Sequence, residues 1–502
     1  MSLATINTQT LNGVIPIPVT VEVHISNGLP ALAIVGLPEA AVRESKDRVR
    51  AAIINSGFEF PARKITVNLA PADLPKDGGR YDLPIAIGIL AASKQVPDEA
   101  LSQLEFHGEL ALSGELRPVN GSLPVALGAI KLKHTLILPN ASAELAALIH
   151  QADIFQAKTL LEVCQYLHQQ CDLSRPEATV TGSSVHSLDI SDVKGQHRAK
   201  RAIEIAAAGR HNILMVGPPG TGKTMLASRL PALLPPLTEQ QAIDSAAIRS
   251  ISHQGFDIKD WKTRPFRAPH HTASGVALVG GGSNPKPGEI SLAHNGVLFL
   301  DELTEFDRHS LDVLREPLET GKISISRAAR QAEFPANFQL IAAMNPCPQG
   351  YSCDGKSLCQ CTPEQQRKHR SRISAPLLDR IDIHIEVPCV DRQTLSSSTE
   401  ISDSNSVVKK RIDHAYNIQL NRCGKSNAEL TSRETETHCH LQKTEISLLE
   451  QAMEKLNLSA RAYHRILRMS RTIADLENSE NIQSQHLSEA ISYRSLDRFV
   501  DG

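Results

Sequence analysis

The sequence predicts an α/β protein in three parts, and three observations carry that expectation. Strand and helix patterns alternate through residues 1–170, an apolar strand runs through a glycine-rich loop into a helix at Ile213–Leu230, and helical periodicity dominates 406–502. Polar stretches separate them, the first holding Pro176, Thr179, Thr181, Gly182, Ser183 and Ser184, the second Ser396, Ser397 and Ser398. The expected division is an α+β N-terminal domain over 1–170, a linker over 171–190, an α/β core over 191–390, a second linker over 391–405 and a helical lid domain over 406–502.

In the first domain, Val19-Thr20-Val21-Glu22-Val23-His24-Ile25 alternates with period two and Arg63–Leu69 repeats the pattern, so both read as strands with one buried face. Pro38–Asn55 reads as a helix, with Pro and Glu at its start and Gly57 just past its end. Glu109–Leu116 has the pattern of a hairpin turning at Ser113-Gly114, and Leu123–Lys131, Ser142–His150 and Thr159–Gln169 have helical patterns. In the last domain Ile446, Leu449, Met453 and Leu456, then Ile466, Leu467, Met469 and Ile473, recur at helical spacing.

Composition narrows the classes. A chain of 502 residues is too long for one core and fits about three domains. It is 41% hydrophobic and 22% charged, and apolar runs such as Leu83–Ala92 fall far short of a membrane span. Nine cysteines without a signal-peptide layout imply reduced thiols or a metal site, so a cytoplasmic location is expected. The net charge of −2 supplies no global field for nucleic acid. Only local patches do: Lys262, Arg264 and Arg267 with His270 and His271; Arg327 and Arg330; and Arg367, Lys368, His369, Arg370 and Arg372.

The core carries the chemistry. Gly217-Pro218-Pro219-Gly220-Thr221-Gly222-Lys223-Thr224 fits G-x-x-x-x-G-K-[ST], between the apolar strand Ile213–Val216 and a helix start at Met225. The glycines let backbone N–H groups turn inward around phosphates at the positive end of the helix. Lys223 is then expected at the β/γ-phosphates and the Thr224 hydroxyl on Mg²⁺. Val297-Leu298-Phe299-Leu300 ends in Asp301-Glu302, which puts Asp301 near the metal and Glu302 near an attacking water. Binding plus water activation predicts ATP hydrolysis. The bland alternative is a chance glycine-rich turn and an acidic strand end.

These motifs resemble the AAA+ superfamily, specifically its magnesium-chelatase-like clade. Val193-Lys194-Gly195-Gln196 is similar to the clade's motif near the adenine. Ala342-Ala343-Met344-Asn345-Pro346 resembles sensor 1, which implies that Asn345 bonds the attacking water or γ-phosphate. Leu377-Leu378-Asp379-Arg380-Ile381-Asp382 resembles the arginine-finger segment, and Ser459-Ala460-Arg461-Ala462 the lid's sensor 2, which implies a cis phosphate contact for Arg461. A finger supplied by a neighbouring subunit, worth about 10³–10⁵ in rate, implies a ring, expected as a hexamer. The alternative for Arg380 is an ion pair with Asp379 or Asp382. The long gap between Thr224 and Asp301, with Arg264–Thr272 and Gly280-Gly281-Gly282, resembles the clade's insertion in helix 2. Ile323–Arg330 resembles a hairpin before sensor 1. In related ring motors both elements face the channel, which implies phosphate tracking on DNA without sequence readout. The alternative for Arg327 and Arg330 is subunit contacts.

The N-terminal domain is similar to the proteolytic domain of Lon, with Ala72-Asp73-Leu74-Pro75-Lys76-Asp77-Gly78-Gly79-Arg80 and Gly108–Val119 carrying the likeness. Arg80 stands at the nucleophile position and Gly121-Ser122-Leu123-Pro124 spans the catalytic-lysine region. A Ser-Lys dyad needs a hydroxyl beside an amine of lowered pKa, so a non-proteolytic domain is expected. This order of domains resembles the ComM/YifB family across nearly the whole chain, including Leu487–Arg498. The resemblance implies a hexameric, ATP-driven DNA helicase promoting branch migration in natural transformation. The alternative is a magnesium-chelatase-type remodelling subunit for metal insertion; no D-x-S-x-S metal-adhesion motif is present, though that motif belongs to a partner chain.

Cys347, Cys353, Cys359 and Cys361 are spaced C-x5-C-x5-C-x-C. Four thiolates on the loop 347–361 suit a tetrahedral structural Zn²⁺, with unligated thiols as the alternative. Some family members carry a loop here beginning Cys-Pro-Cys, whereas this chain has Cys347-Pro348-Gln349.

Overall fold

Alternating Val19–Ile25 lies in the second strand of a hairpin whose first strand has no such legible pattern. The computed structural model describes residues 2–179, 188–282, 284–327, 330–350, 361–390, 403–456 and 458–494, without the side chains of Arg327 and Arg330. Its chain forms two compact units, Met1–Ser183 with Ala246–Trp261, and Ser184–Ser245 with Lys262–Gly502. The segment Ala246–Trp261 thus belongs with the first unit although it lies within the stretch assigned to the core by sequence.

The first unit is built on β1 (Ser2–Asn12), β2 (Ile15–Ser26), β3 (Ala31–Val35), β4 (Lys64–Ala70), β5 (Leu104–Phe106), β6 (Thr135–Pro139) and β7 (Ile154–Ala157). They form one mixed sheet in the order β3-β4-β2-β1-β5-β6-β7. β1 and β2 are antiparallel with Ile6 opposite Val21, and β5, β6 and β7 run parallel. The helix expected over Pro38–Asn55 spans Ala40–Asn55. Asp82–Ala92 is a helix with every residue buried, as a helix apolar on all sides must be. Gly88 lets it approach β2, since a Cβ there would meet Val23 Cγ2 at 2.6 Å.

The second unit holds β8 (Ile213–Val216), β9 (Phe266–Arg267), β10 (Val297–Leu300), β11 (Gln339–Met344) and β12 (Ile383–Glu386), in the order β9-β10-β11-β8-β12 with every neighbouring pair parallel. All six residues of β11 are buried, the signature of a parallel strand covered on both faces. Among the described residues five α-helices follow, from Asn405–Cys423 to Ser484–Ser492. They share one hydrophobic core with the sheet: Met215, Phe299, Ile341 and Ile385 cluster with Ile412, Leu449, Ile466, Ile473 and Leu487. A two-stranded hairpin pairs Lys322–Arg327 with Arg330–Pro335 and brings Arg327 opposite Arg330. No helix among the described residues is long and apolar enough to cross a membrane.

Candidate active site

Strand register gathers the motif residues. Val216 lies opposite Met344, and Leu300 opposite Ala342. The loop from Gly217, Asp301 and Asn345 therefore leave the carboxyl ends of three adjacent parallel strands, where open α/β sheets bind ligands. Gly217 is demanded by a close approach, because a Cβ there would lie 2.2 Å from the Val387 carbonyl oxygen. Gly222, at φ 90°, precedes the helix Lys223–Ala227 and faces open space. Such a backbone cradle at a helix start suits phosphate groups.

Lys223 is buried, and its Nζ donates to the Gly217 oxygen at 2.7 Å, the Pro218 oxygen at 2.8 Å and Asn345 Oδ1 at 3.3 Å. Burial pushes its pKa down, with Asp301 opposing. Thr224 Oγ1 donates to Asp301 Oδ2 at 2.6 Å, which places two hard oxygen donors together, as Mg²⁺ requires. The cradle, the lysine and this oxygen pair fit a nucleotide triphosphate with its magnesium. Gln196 Nε2 reaches the Thr221 oxygen at 3.3 Å and Pro388 oxygen at 2.7 Å, tying the preceding motif to the loop. Glu302 adopts φ 52°, a left-handed conformation that costs a non-glycine residue about 1–3 kcal/mol and clusters at functional sites. Its Oε2 lies 3.0 Å from His271 Nδ1. By sequence His271 stands only in a basic patch; its partnership with Glu302 is made by the fold.

Arg380 and Arg461 meet on one carboxylate. Arg380 Nη2 contacts Glu319 Oε2 at 2.5 Å and Nη1 donates to the Pro376 oxygen at 2.7 Å, while Arg461 Nη2 lies 3.5 Å from Glu319 Oε1. The hydrogen bond from Arg380 holds the Glu319 pKa below its ordinary range. The expected alternative pairings of Arg380 with Asp379 or Asp382 are replaced by Glu319. Asp382 is taken by Arg465, and its second oxygen accepts the Asn212 N–H at 2.9 Å.

Two basic residues are also reassigned. Arg264 donates to the Pro235 oxygen at 2.7 Å and the Asn295 oxygen at 2.6 Å, and burial pushes its pKa down to about 10. Arg267 forms a two-pronged pair with Glu289 at 2.6 and 2.8 Å. Both serve internal bonds rather than a free phosphate-tracking surface. Cys353 and Cys359 lie outside the described residues; Cys347 is buried and Cys361 half-buried. Among the described residues no group of three or more His, Cys, Asp or Glu side chains is arranged to hold a metal ion. In the first unit, Arg80 Nη2 donates to the Asn120 oxygen at 3.2 Å. The arginine at the expected nucleophile position thus abuts the segment leading into Gly121–Pro124.

A buried phosphate-loop lysine, a hydroxyl–carboxylate pair, and Glu302 and Asn345 on adjacent strand ends define the class: an ATP-binding P-loop protein of the AAA+ type. The family model for magnesium chelatase subunit ChlI matches residues 189–395, with related models for subunit ChlI matching 21–142 and its C-terminal part 402–494. The chain is 51% identical over 500 residues to YifB of Salmonella typhimurium, covering 100% of this chain and 98% of that protein. It is 50% identical over 505 residues to the competence protein ComM of Haemophilus influenzae, covering 100% and 99%. This chain belongs to the ComM/YifB family of magnesium-chelatase-like ATPases. A more distant match, 25% identical over 224 residues, is to the DNA replication licensing factor Mcm6 of Anopheles gambiae, covering 42% of this chain and 26% of that protein.

Proposed function

We propose that this chain is the subunit of an ATP-hydrolysing ring motor, expected as a hexamer, that acts as a DNA helicase and promotes branch migration during recombination in natural transformation. The observation that carries the reading is the convergence of Lys223, Thr224, Asp301 and Asn345 at one end of the parallel sheet, with Glu302 beside Asp301. Bound ATP and Mg²⁺ supply the phosphoryl chemistry. Lys223 neutralises phosphate charge, Thr224 and Asp301 hold the cation, Glu302 orients the water and Asn345 fixes its position. The DNA assignment draws support from the relative named as a competence protein and from the likeness to a DNA replication licensing factor. Since Arg264 and Arg267 are spent on internal bonds, DNA contacts fall to Arg327 and Arg330 of the hairpin strands. Arg380 acts on the neighbouring subunit's nucleotide and Arg461 contacts the phosphates of its own subunit; in the isolated chain both rest on Glu319.

The matching family models favour one second reading, a remodelling subunit for metal insertion. Single-stranded DNA titrated into an ATPase assay separates the two: stimulation supports the motor, and an unchanged rate up to saturating DNA concentrations counts against it. Residues 1–170 are read as a Lon-like domain without proteolysis, and residues 406–502 as the helical lid. Structural zinc on Cys347, Cys353, Cys359 and Cys361 belongs to the same proposal. About one equivalent per chain is expected by metal analysis after chelator-free purification, and well below half an equivalent would reject it.

A further inference from the structure

We propose that His369 is a positioning residue for hydrolysis, holding the end of the Asn345 strand and the turn behind Glu302 at a fixed separation. His369 lies in the last turn of the helix Pro363–Arg370, which starts on a capping box between Thr362 and Gln365. Arg367 and Lys368 beside it are exposed, yet His369 is only 5% exposed. Its Nε2 lies 3.2 Å from the Asn345 carbonyl oxygen and 3.2 Å from Thr304 Oγ1. Each partner belongs to the site. Asn345 Oδ1 faces Lys223 Nζ at 3.3 Å. Thr304 sits in the tight turn Leu303–Glu305, closed by a 2.7 Å bond from the Glu305 N–H to the Glu302 oxygen.

A carbonyl acceptor requires the hydrogen to be on Nε2, and burial holds the ring pKa below its ordinary range and favours the neutral form. Arg372 Nη1 reinforces the same turn, donating to the Thr304 oxygen at 2.8 Å. One imidazole therefore spans the two strand ends that must present Asn345 and Glu302 to the same water. A misplacement of about 1 Å between such groups costs on the order of 10²-fold in rate. The sequence signal was a histidine among arginines, which reads as surface charge until the fold buries it.

The inference rests on the ATPase reading, and the test separates the two. In the full-length protein with Mg²⁺, steady-state hydrolysis and binding of a fluorescent N-methylanthraniloyl ATP are measured for wild type, His369→Leu and His369→Gln. Leu fills the volume without a donor, whereas Gln returns an N–H at comparable reach. His369→Leu is expected to lower kcat by about 10–100-fold with nucleotide affinity unchanged, and His369→Gln to recover most of the rate. Wild-type turnover in the Leu variant, equal loss in both variants, or a loss that follows nucleotide affinity overturns the proposal. If the Leu variant does not fold, His369→Asn decides, since its shorter amide cannot reach both acceptors; wild-type turnover there overturns the proposal. A wild-type protein that binds ATP without hydrolysing it overturns the ATPase reading and this inference together.

Discussion

In the proposed mechanism Lys223 binds phosphate and Glu302 orients the water, so their variants should separate binding from turnover. Lys223 is the buried ammonium facing the loop carbonyls, so Lys223→Ala is expected to weaken ATP binding at least 10-fold, on the order of a lost charge-assisted contact. Glu302→Gln keeps the volume and removes the carboxylate, so binding should persist while turnover falls by about 10²-fold or more. Equal affinity loss in both, by fluorescent-nucleotide titration, would contradict the roles. His271 and Glu302 are 32% and 50% exposed in their side chains. Their pair contributes less than about 1 kcal/mol, so His271→Ala should melt like wild type and any change in turnover reports on Glu302. The residues Gly217–Thr224 were legible because phosphate binding fixes both residue type and spacing in one short segment. His271, His369 and Glu319 were not legible, because each acquires its partner across the fold and carries no local pattern.

Asp382 joins two elements that a linear reading separates, β12 and the helix Ala460–Leu476. It is 4% exposed and pairs with Arg465, with His211 Nδ1 3.7 Å away. Burial alone would raise its pKa, but Arg465 and His211 hold it well below the carboxylate range. A carboxylate lowered in the folded state stabilises above its unfolded pKa of about 3.9, and that contribution is lost as pH falls toward the folded value. Asp382→Asn is therefore expected to destabilise this unit by about 3–5 kcal/mol at neutral pH, with the gap to wild type narrowing below about pH 4. Denaturant unfolding at several pH values checks it; a gap that widens in acid would refute the assignment. Element legibility follows the same physics. β2 and β4 alternate apolar and polar, so one face predicts the strand. β1 buries the consecutive residues Thr8, Gln9 and Thr10, so both of its faces are covered there; Gln9 Nε2 donates to buried Glu105 at 2.5 Å, and polar residues buried on both faces hide the period.

At the scale of the molecule, domain order could be read because each part has its own periodicity. The association of Ala246–Trp261 with the first unit could not, since it depends on contacts far apart in sequence. Assembly is the remaining question, and the proposed trans role of Arg380 makes it testable. Arg380 is only 8% exposed, and its guanidinium rests on Glu319 with Arg461 rather than on Asp382. If Arg380 completes the neighbouring subunit's site, Arg380→Ala should spare ATP binding and lower hydrolysis by about 10³-fold or more. Mixing then distinguishes trans from cis. A subunit carrying Arg380→Ala keeps an intact phosphate loop, and one carrying Lys223→Ala keeps an intact arginine. In randomly mixed rings at equal ratio, roughly a quarter of the interfaces unite the two intact halves under closed head-to-tail symmetry. ATPase activity should therefore reappear at up to about a quarter of the wild-type level when two inactive preparations are combined. In a cis arrangement every site lacks one group whatever its neighbour, so mixing restores nothing. No recovery in rings whose mixed composition is confirmed by mass would reject the trans role of Arg380 while leaving the assignments of Lys223 and Glu302 intact.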